Sequence, residues 1–394
     1  MDSAVSAAAA ICNTATSDMP QEIALCLFEN GAFFLSLFIL FLGVPRGIEF
    51  GIDYKSWTVD SQFRGLKMIP PGVHFIYFSV KTAPRIGFFH HFKEKEILIR
   101  KWNPSTESMT ADNTTEEDIS RIRANLKLMD RNLAPYPYEN YRDWFALSNY
   151  ITEKSIARIR PENEFGQISG QAELVTMETE LMENDNYAGS SLSRVDREHP
   201  TRIRFVDEQG LPIMRIKPGH QIRFQDIQIM PVIESCVYMI SKLFLRFLKK
   251  ISKRRNQKGI DRSDDLEKLI SDFSGDWKEV FAELQLAFVC FLLGQVYEGF
   301  EQWKRLIYLL CSCTTAIDKR SDMYLALLAV VHFQLKECPE DFFVDIVSKD
   351  NFLTTTLSSL FGNIEDSSTE NNALKEKSRK FKNYLTKRFK WCFD

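Results

Sequence analysis

The sequence predicts an α+β protein of two domains, a β-rich N-terminal domain of sandwich or barrel type with helices packed on it and an all-helical C-terminal bundle. Short apolar segments separated by glycine and proline occupy residues 21–105, a pattern typical of antiparallel sheets. From about residue 260 the apolar residues recur at helical spacing instead. A chain of 394 residues is long enough for two such domains.

Changes in composition set the expected boundaries. We expect a disordered N-terminus over 1–20, a β-rich domain over 21–165 and a helical domain over 260–392. The acidic run E-T-E-L-M-E-N-D-N and several serines predict a polar, acidic linker over 166–215. A segment at 231–258 is amphipathic and then basic, and we interpret it as a possible insertion.

The N-terminal domain is expected to contain many short strands. The run Ala32–Val44 is the most apolar, but its 13 residues fall short of the roughly 20 that a membrane span requires. Acidic residues and no basic ones precede it, which argues against a signal peptide. We therefore predict a buried strand over Phe33–Leu42, followed by strands at Ile48–Ile52, Trp57–Val59, Leu66–Ile69, Val73–Ser79, Ile86–Phe89 and Ile97–Trp102.

Helix signals begin after these strands. Thr114 or Thr115, followed three residues later by an acidic residue, predicts a capping box. A second helix is predicted over Tyr141–Ile151. In the C-terminal half, Ser263 is predicted to cap a helix, and Leu286–Leu293 is apolar nearly all round and predicts a buried central helix. Further helices are predicted at Asp322–Lys336, Pro339–Ser348, Asn351–Leu360 and Thr369–Trp391.

No catalytic motif is found in the sequence. Phosphate-binding glycine loops, zinc-protease and serine-hydrolase motifs are absent, and the eight cysteines include no C-x-x-C pair. We interpret the cysteines as reduced core thiols and His74 as a hydrogen-bonded strand residue. With a net charge of −3, no overall field favours nucleic acid or membranes. We therefore predict a non-enzymatic protein without cofactor or metal.

Exposed tryptophan, tyrosine and arginine side chains are favoured anchors at protein interfaces. Such residues accumulate at turns of the predicted sheet domain, although the aromatic ones among them are equally compatible with a place in the core. The candidate partner-binding residues are Tyr54, Trp57, Phe63, Arg64 and Arg85.

Two further segments have regulatory or binding potential. Ser190, Ser191 and Ser193 lie in the acidic linker, and Asp196 follows Ser193 in the pattern of an acidophilic kinase site. The basic run 246–258 is compatible with a solvated helix end, a nuclear-import or RNA-contacting patch, or an amphipathic helix at a membrane surface.

Long motifs in both halves resemble the AAR splicing-factor family, the mating-type-cistron splicing factors. In the first half they are G-I-E-F-G-I-D-Y-K-S-W at 47–57 and F-R-G-L-K-M-I-P-P-G-V-H-F at 63–75. In the second half they are E-L-Q-L-A-F-V-C-F-L-L-G at 283–294 and D-F-F-V-D-I-V-S-K-D-N-F-L at 341–353. Motifs of this length are highly specific.

The resemblance implies an assembly factor for the U5 small nuclear ribonucleoprotein. Such a factor binds the large U5 scaffold protein through its RNase H-like and Jab/MPN-like domains, blocks premature binding of the U5 helicase and is released under phosphorylation control. It implies a monomer in the complex, located in cytoplasm and nucleus, with no direct need for nucleic acid or membrane. The segments 33–42 and 231–258 depart from the family pattern. The alternative is a membrane-peripheral adaptor that uses residues 232–258.

Overall fold

The computed structural model describes residues 37–93, 96–111, 115–163, 165–174, 214–216, 219–227, 261–338, 352–369 and 371–393. The predictions for 1–20, for most of the acidic linker, for 231–258 and for the helix at Pro339–Ser348 lie outside these residues. Within them, the predicted fold class is confirmed: a sheet domain with packed helices precedes an all-helical region.

The sheet domain is a sandwich of two five-stranded sheets. The first has the order β8-β7-β1-β4-β9 and the second β10-β6-β5-β2-β3, and a separate hairpin joins β11 to β12. The strands are β1 (Leu37–Leu42), β2 (Glu49–Ile52), β3 (Lys55–Thr58), β4 (Gly65–Ile69), β5 (Gly72–Ser79), β6 (Ile86–Phe92), β7 (Ile97–Asn103), β8 (Ser108–Ala111), β9 (Leu133–Pro135), β10 (Ile168–Ser169), β11 (Ala172–Leu174) and β12 (Met214–Ile216).

Strand β1 is buried on both faces, which explains its unbroken apolar sequence. It lies in the middle of its sheet, antiparallel to β4 and parallel to β7. Its Phe41 faces the second sheet and packs on Phe50, while Phe38 and Leu40 face a helix that carries Leu126. The expected buried strand is therefore present over Leu37–Leu42, and residues 33–36 lie outside the described part.

The sequence prediction missed β8 and the four short strands after it. β8 reads S-M-T-A and pairs with β7, so its one strongly apolar residue, Met109, gives too little signal. The range 166–215 is predicted to be a polar linker, but near its start it contains β10. This strand pairs with β6 at the edge of the second sheet and buries Ile168. β11 and β12 also fall in this range.

Among the described residues, three α-helices accompany the sandwich: α1 (Glu116–Met129), α2 (Tyr141–Ser148) and α3 (Glu153–Ile159). Thr115 caps α1 in a complete capping box with Asp118, as predicted. α1 covers the outer face of the first sheet through Leu126. α3 packs along β6 of the second sheet and also contacts the helical region, so the two regions meet there.

The helical region consists of α4 (Ser263–Asp272), α5 (Lys278–Leu292), α6 (Tyr297–Cys311), α7 (Thr315–Lys319), α8 (Ser321–Glu337), α9 (Phe352–Asp366) and α10 (Asn372–Phe389). The predicted central helix is α5, which is buried over most of its length. Gly299 lets α6 approach it closely, since a Cβ there would lie 2.7 Å from the carbonyl oxygen of Ala287. No helix among the described residues is both long enough and apolar enough to span a bilayer.

The prediction that Ser263 caps α4 needs correction. Ser263 is the first helical residue, and its N–H and hydroxyl both donate to Asp261 Oδ1, at 3.0 and 2.6 Å. Asp261 also accepts from the N–H of Thr314, so one carboxylate secures the starts of α4 and α7. Burial opposes this charge, but the hydrogen bonds from Ser263 and Thr314 prevail and hold the pKa of Asp261 below its usual range.

Candidate functional site: the junction of the two domains

The sheet domain and the helical region are joined by polar side chains that lie deep in the contact. Gln285, in the middle of α5, is fully buried. Its Oε1 accepts from the N–H of Tyr150 at 2.9 Å, and its Nε2 donates to Asn149 Oδ1 at 2.7 Å. One amide thereby satisfies the backbone just after α2, which fixes α2 against α5.

A second contact is a charged group that we call the Arg158 cluster, consisting of Arg158, Glu279, Glu283, Gln225 and Gln302. Arg158 on α3 donates to Glu279 Oε2 at 2.6 Å and lies 3.5 Å from Glu283 Oε2, both on α5. Glu283 is 0 % exposed, and burial raises the pKa of its carboxyl although the N–H of Gln225 and the charge of Arg158 act against this. The cluster ties α3 to the helical region.

Residues 219–227, which we call the return segment, run between the two domains. The N–H of Gln225 donates to Glu283 Oε1 at 2.8 Å, and Gln302 Nε2 donates to the carbonyl of Gln225 at 2.9 Å. On the other side, the N–H of Arg223 donates to the carbonyl oxygen of Ile159 at 3.0 Å. The segment therefore has hydrogen bonds to both domains and stabilises their contact.

Two of the predicted partner-binding residues also lie at this junction. Tyr54, in the turn between β2 and β3, packs on the helical core with its hydroxyl beside Glu337 on α8. Burial, followed by the charge of Glu337, raises the pKa of Tyr54. Arg85 donates to the carbonyl of Leu293 and to Glu49 Oε1, both at 2.9 Å. Both side chains thus join the domains of this chain.

The turn that carries Tyr54 is held by what we call the Asp53 network. Asp53 has φ 52° and is buried. Its Oδ2 accepts from the hydroxyl of Tyr136 at 2.6 Å and lies 2.7 Å from His74 Nδ1, and its Oδ1 accepts from the N–H of Phe75. His74 Nε2 lies 2.9 Å from the carbonyl of Pro70, so the predicted hydrogen-bonded histidine is confirmed. Every oxygen of Asp53 has a partner.

The other three predicted residues lie on the edge strand β3 of the second sheet or in the loop that leads from β3 to β4. Trp57 on the edge strand β3 stands opposite Phe50, and the Phe63 ring lies 5.4 Å from that of Phe50. Trp57 and Phe63 are half-buried, and Arg64 is exposed with its guanidinium on the carbonyls of Ser61 and Phe63. The structure therefore separates the predicted set into two residues at the domain junction and three on β3 or in the loop after it.

Two family models match this chain. The AAR2 N-terminal domain matches residues 36–161, and the AAR2 C-terminal repeat region matches residues 245–394. A Protein AAR2 homolog of Caenorhabditis elegans is 50% identical over 95% of this chain and 98% of that protein. The chain belongs to the AAR2 family.

More distant relatives of this AAR2-family chain extend the comparison. A human Protein AAR2 homolog is 36% identical over 96% of this chain and 94% of that protein. The A1 cistron-splicing factor AAR2 of Saccharomyces cerevisiae is 23% identical, with 77% of each chain covered. The resemblance stated from the sequence motifs is confirmed. Both domains and the return segment between the two matched regions lie within the span shared with the nematode relative.

Other residues predicted from the sequence to have a regulatory or binding role lie outside the described part of this AAR2-family chain. Ser190, Ser191 and Ser193 belong to 175–213, and the basic run 246–258 belongs to 228–260. Phosphorylation of the serines and the membrane-adaptor alternative therefore stay predictions. The C-terminal family model begins at residue 245, inside the segment interpreted as an insertion.

The residues that form the junction were missed from sequence. Glu283 and Gln285 interrupt the apolar run that follows the first residues of α5, and a buried polar residue in such a helix needs a partner. These two polar residues could therefore have indicated from the sequence that α5 contacts a polar partner. Nothing in the local sequence indicated that Arg158 would reach it from 121 residues away.

The described residues contain no group of three or more His, Cys, Asp or Glu side chains that could hold a metal ion. The cysteines Cys290, Cys311, Cys313 and Cys338 are free and buried, as predicted for core thiols. Burial raises the pKa of Cys313 and Cys338 to about 12, which keeps them protonated and unreactive near neutral pH. Cys392 is exposed.

Proposed function

We propose that this chain is a non-enzymatic pre-mRNA splicing factor that assists assembly of the U5 small nuclear ribonucleoprotein. The proposal depends on one observation: similarity to an AAR2 protein over 95% of the chain, which includes both domains and their junction. The yeast member of the family is named as a cistron-splicing factor. On this proposal the chain works as a monomer within the complex, in cytoplasm and nucleus.

The mechanism that we propose is competitive occupation of the large U5 scaffold protein. The chain binds the RNase H-like and Jab/MPN-like domains of the scaffold and keeps the U5 helicase off until assembly has advanced. The buried contacts of Gln285 and Arg158 support this, because they hold the two domains in one orientation. A pre-organised pair of domains can cover a wide surface without an additional entropic cost of ordering them.

On the chain's own side, we place the contact at the exposed edge strand β3 and the adjacent loop. β3 pairs only with β2, so its outer edge is open within the described residues. Trp57 lies on this strand and Phe63 and Arg64 in the loop after it, and the two half-buried rings keep part of their surface exposed. Aromatic and arginine side chains are the residues most often found to dominate binding energy. Tyr54 and Arg85 support the surface from the domain junction.

The test uses the full-length chain and the two purified scaffold domains, with complexes measured by size-exclusion chromatography and calorimetry. We expect a complex with the RNase H-like domain, weakened about tenfold or more by Trp57→Ala and by Arg64→Glu. Arg123→Glu, on the exposed side of α1, is the matched charge control and should bind as the wild type does. Absence of a complex with either scaffold domain would contradict the proposed function.

A competition experiment tests the mechanism separately. Helicase added to a preformed complex of scaffold and chain should bind more weakly than helicase added to scaffold alone. Aspartate at Ser190, Ser191 and Ser193 should relieve this inhibition if the acidic linker controls release. Simultaneous binding of helicase and chain with unchanged affinities would contradict competitive occupation.

A further inference from the structure

A groove on the side of the sheet domain away from β3 is separate from the surface discussed above. It lies between β6, β7 and α3 and encloses about 250 Å³. Aromatic and aliphatic side chains form its walls, and two arginines, two histidines and Glu153 contribute its charged and polar groups. Its main lining residues are Phe88, His91, Arg100, Ile156, Arg160 and Gly166.

The two arginines bring like charges together, and the one carboxylate that lines the groove, Glu153, pairs with Lys93 Nζ at 3.2 Å instead of with either arginine. Among the described residues, neither guanidinium forms an ion pair, and the one hydrogen bond of the Arg100 side chain goes to the carbonyl of Ile99. The nearby Glu96 is engaged elsewhere, since its oxygens contact His90 Nε2 at 2.7 Å and the N–H of Lys93 at 2.8 Å. Burial, and then the charge of Arg160, lowers the pKa of Arg100.

The groove also holds the arginines in place. The Arg100 guanidinium lies 5.1 Å from the ring centroid of Phe88. Gly166 has φ 62°, and a Cβ at this position would collide with the side chain of Arg160, so a glycine leaves the space that this arginine occupies. His91 Nδ1 is buried and has no hydrogen-bond partner. Two guanidinium groups without an ion pair among the described residues and an unpartnered imidazole nitrogen thus face the same groove.

The floor of the groove is an open strand edge. β10 pairs with β6 only at Gly87 and Ile86, and within the described residues no strand continues this pairing along Phe88–Phe92. An open strand edge is a template for an extended peptide, with main-chain hydrogen bonds for affinity and neighbouring pockets for specificity. The occupant that fits both features is an extended peptide with an anionic side chain.

We propose that this groove binds an extended segment of a partner protein along β6 and that Arg100 and Arg160 bind a carboxylate or phosphate group on that segment. Guanidinium groups match both oxyanions through paired N–H donors. His91 Nδ1 is the third contact to the same group. This site is separate from the β3 surface, so its test does not depend on the U5 scaffold.

The experiment presents the full-length protein with three degenerate twelve-residue peptide libraries that differ only in a fixed central residue: phosphoserine, glutamate or serine. Binding is measured by fluorescence anisotropy and competed with inorganic phosphate. We expect at least one anionic library to bind about tenfold more tightly than the serine library. Arg100→Gln and Arg160→Gln should each remove about tenfold of that preference.

Matched variants make the result specific. Arg123→Gln makes the same change on an exposed face of α1 and should leave binding unchanged within about twofold. Arg160→Lys keeps the positive charge but lacks the paired N–H donors of a guanidinium group. Its affinity for the anionic peptides should therefore lie between those of the wild type and Arg160→Gln. Thermal melts establish that each variant is folded.

Preference for phosphoserine alone assigns the site to phosphorylated segments, and equal preference for glutamate assigns it to acidic ones. Equal binding of all three libraries, or equal losses in Arg100→Gln and Arg123→Gln, would overturn the proposal.

Discussion

The Asp53 network and the Arg158 cluster are two buried polar groups with different degrees of satisfaction. In the Asp53 network, both carboxylate oxygens and both ring nitrogens of His74 have partners within 3.0 Å. In the Arg158 cluster, Glu283 Oε2 and two nitrogens of Arg158 are buried without a hydrogen bond. A fully satisfied network specifies one structure, whereas a partly satisfied one leaves an energetic cost in place.

The two groups also differ in where they lie in the molecule. The Asp53 network lies within one domain, where it fixes the β2–β3 turn against β5 and the segment after β9. The Arg158 cluster joins two domains and the return segment, so its geometry depends on three elements that are distant in sequence. We therefore expect loss of the Asp53 network to cost more stability than loss of one carboxylate of the Arg158 cluster.

The largest effect is expected from Asp53→Asn. The substitution keeps the side chain's shape but removes the acceptor for His74 or Tyr136 and leaves a buried donor without a partner. We expect a loss of about 3–5 kcal/mol in the free energy of unfolding, measured by urea denaturation. The control is Asp60→Asn, where the carboxylate is exposed and accepts only from the nearby N–H groups of Gln62 and Phe63. If both variants lose the same amount, burial of the network has no special energetic role.

A smaller loss is expected from Glu283→Gln in the Arg158 cluster. The amide oxygen can still accept from Gln225, and Arg158 keeps its contact with Glu279. We therefore expect a loss of about 1–2 kcal/mol in the free energy of unfolding by the same measurement. Glu376→Gln, at an exposed pair on α10, should cause no measurable change. A loss as large as that of Asp53→Asn would show that the two networks do not differ in the way proposed.

A third polar contact of the junction, between the return segment and Glu298, makes the stability of the protein depend on pH. Burial raises the pKa of Glu298 from 4.5 to about 6, and the hydrogen bond from the N–H of Ile222 opposes this. The folded protein therefore binds this proton more tightly than the unfolded chain does. The contribution of Glu298 to the free energy of unfolding therefore decreases as the pH rises from about 4.5 through 6.

It follows that Glu298→Gln should stabilise the protein above pH 7. The expected gain is about 1 kcal/mol in the free energy of unfolding, because solvent reduces the cost of this partly exposed charge. The gain should shrink as the pH falls below 6, as measured by urea denaturation between pH 4.5 and 8. Glu162→Gln, on an exposed residue near the return segment, is the control. A pH-independent difference would contradict the assignment to Glu298.

Local patterns predicted most elements of the fold, and long-range contacts account for what was missed. The capping box at Thr115 and the apolar run of β1 are formed by residues close in sequence, so both can be recognised from the local sequence alone. The split of the predicted binding residues could not be foreseen in this way. Tyr54 and Trp57 are three residues apart, yet one packs on helices more than 200 residues later and the other on the sandwich core. Periodicity records which positions are buried but not which element buries them.

The smallest effect is expected at the exposed rim of the domain junction. Lys336 on α8 pairs with Asp143 on α2 at 2.9 Å, and the two side chains are 42% and 43% exposed. Water and salt screen such a pair, and holding two long side chains in one geometry costs entropy, so Lys336→Gln should change the free energy of unfolding by less than about 0.5 kcal/mol. Lys304→Gln, which breaks a pair within α6, is the matched control and should behave alike. The measurement is urea denaturation at low and at 1 M salt. If Lys336→Gln alone destabilises the protein by as much as Glu283→Gln, the orientation of the domains depends on surface charge, and the buried contacts of Gln285 and Arg158 are insufficient to hold it.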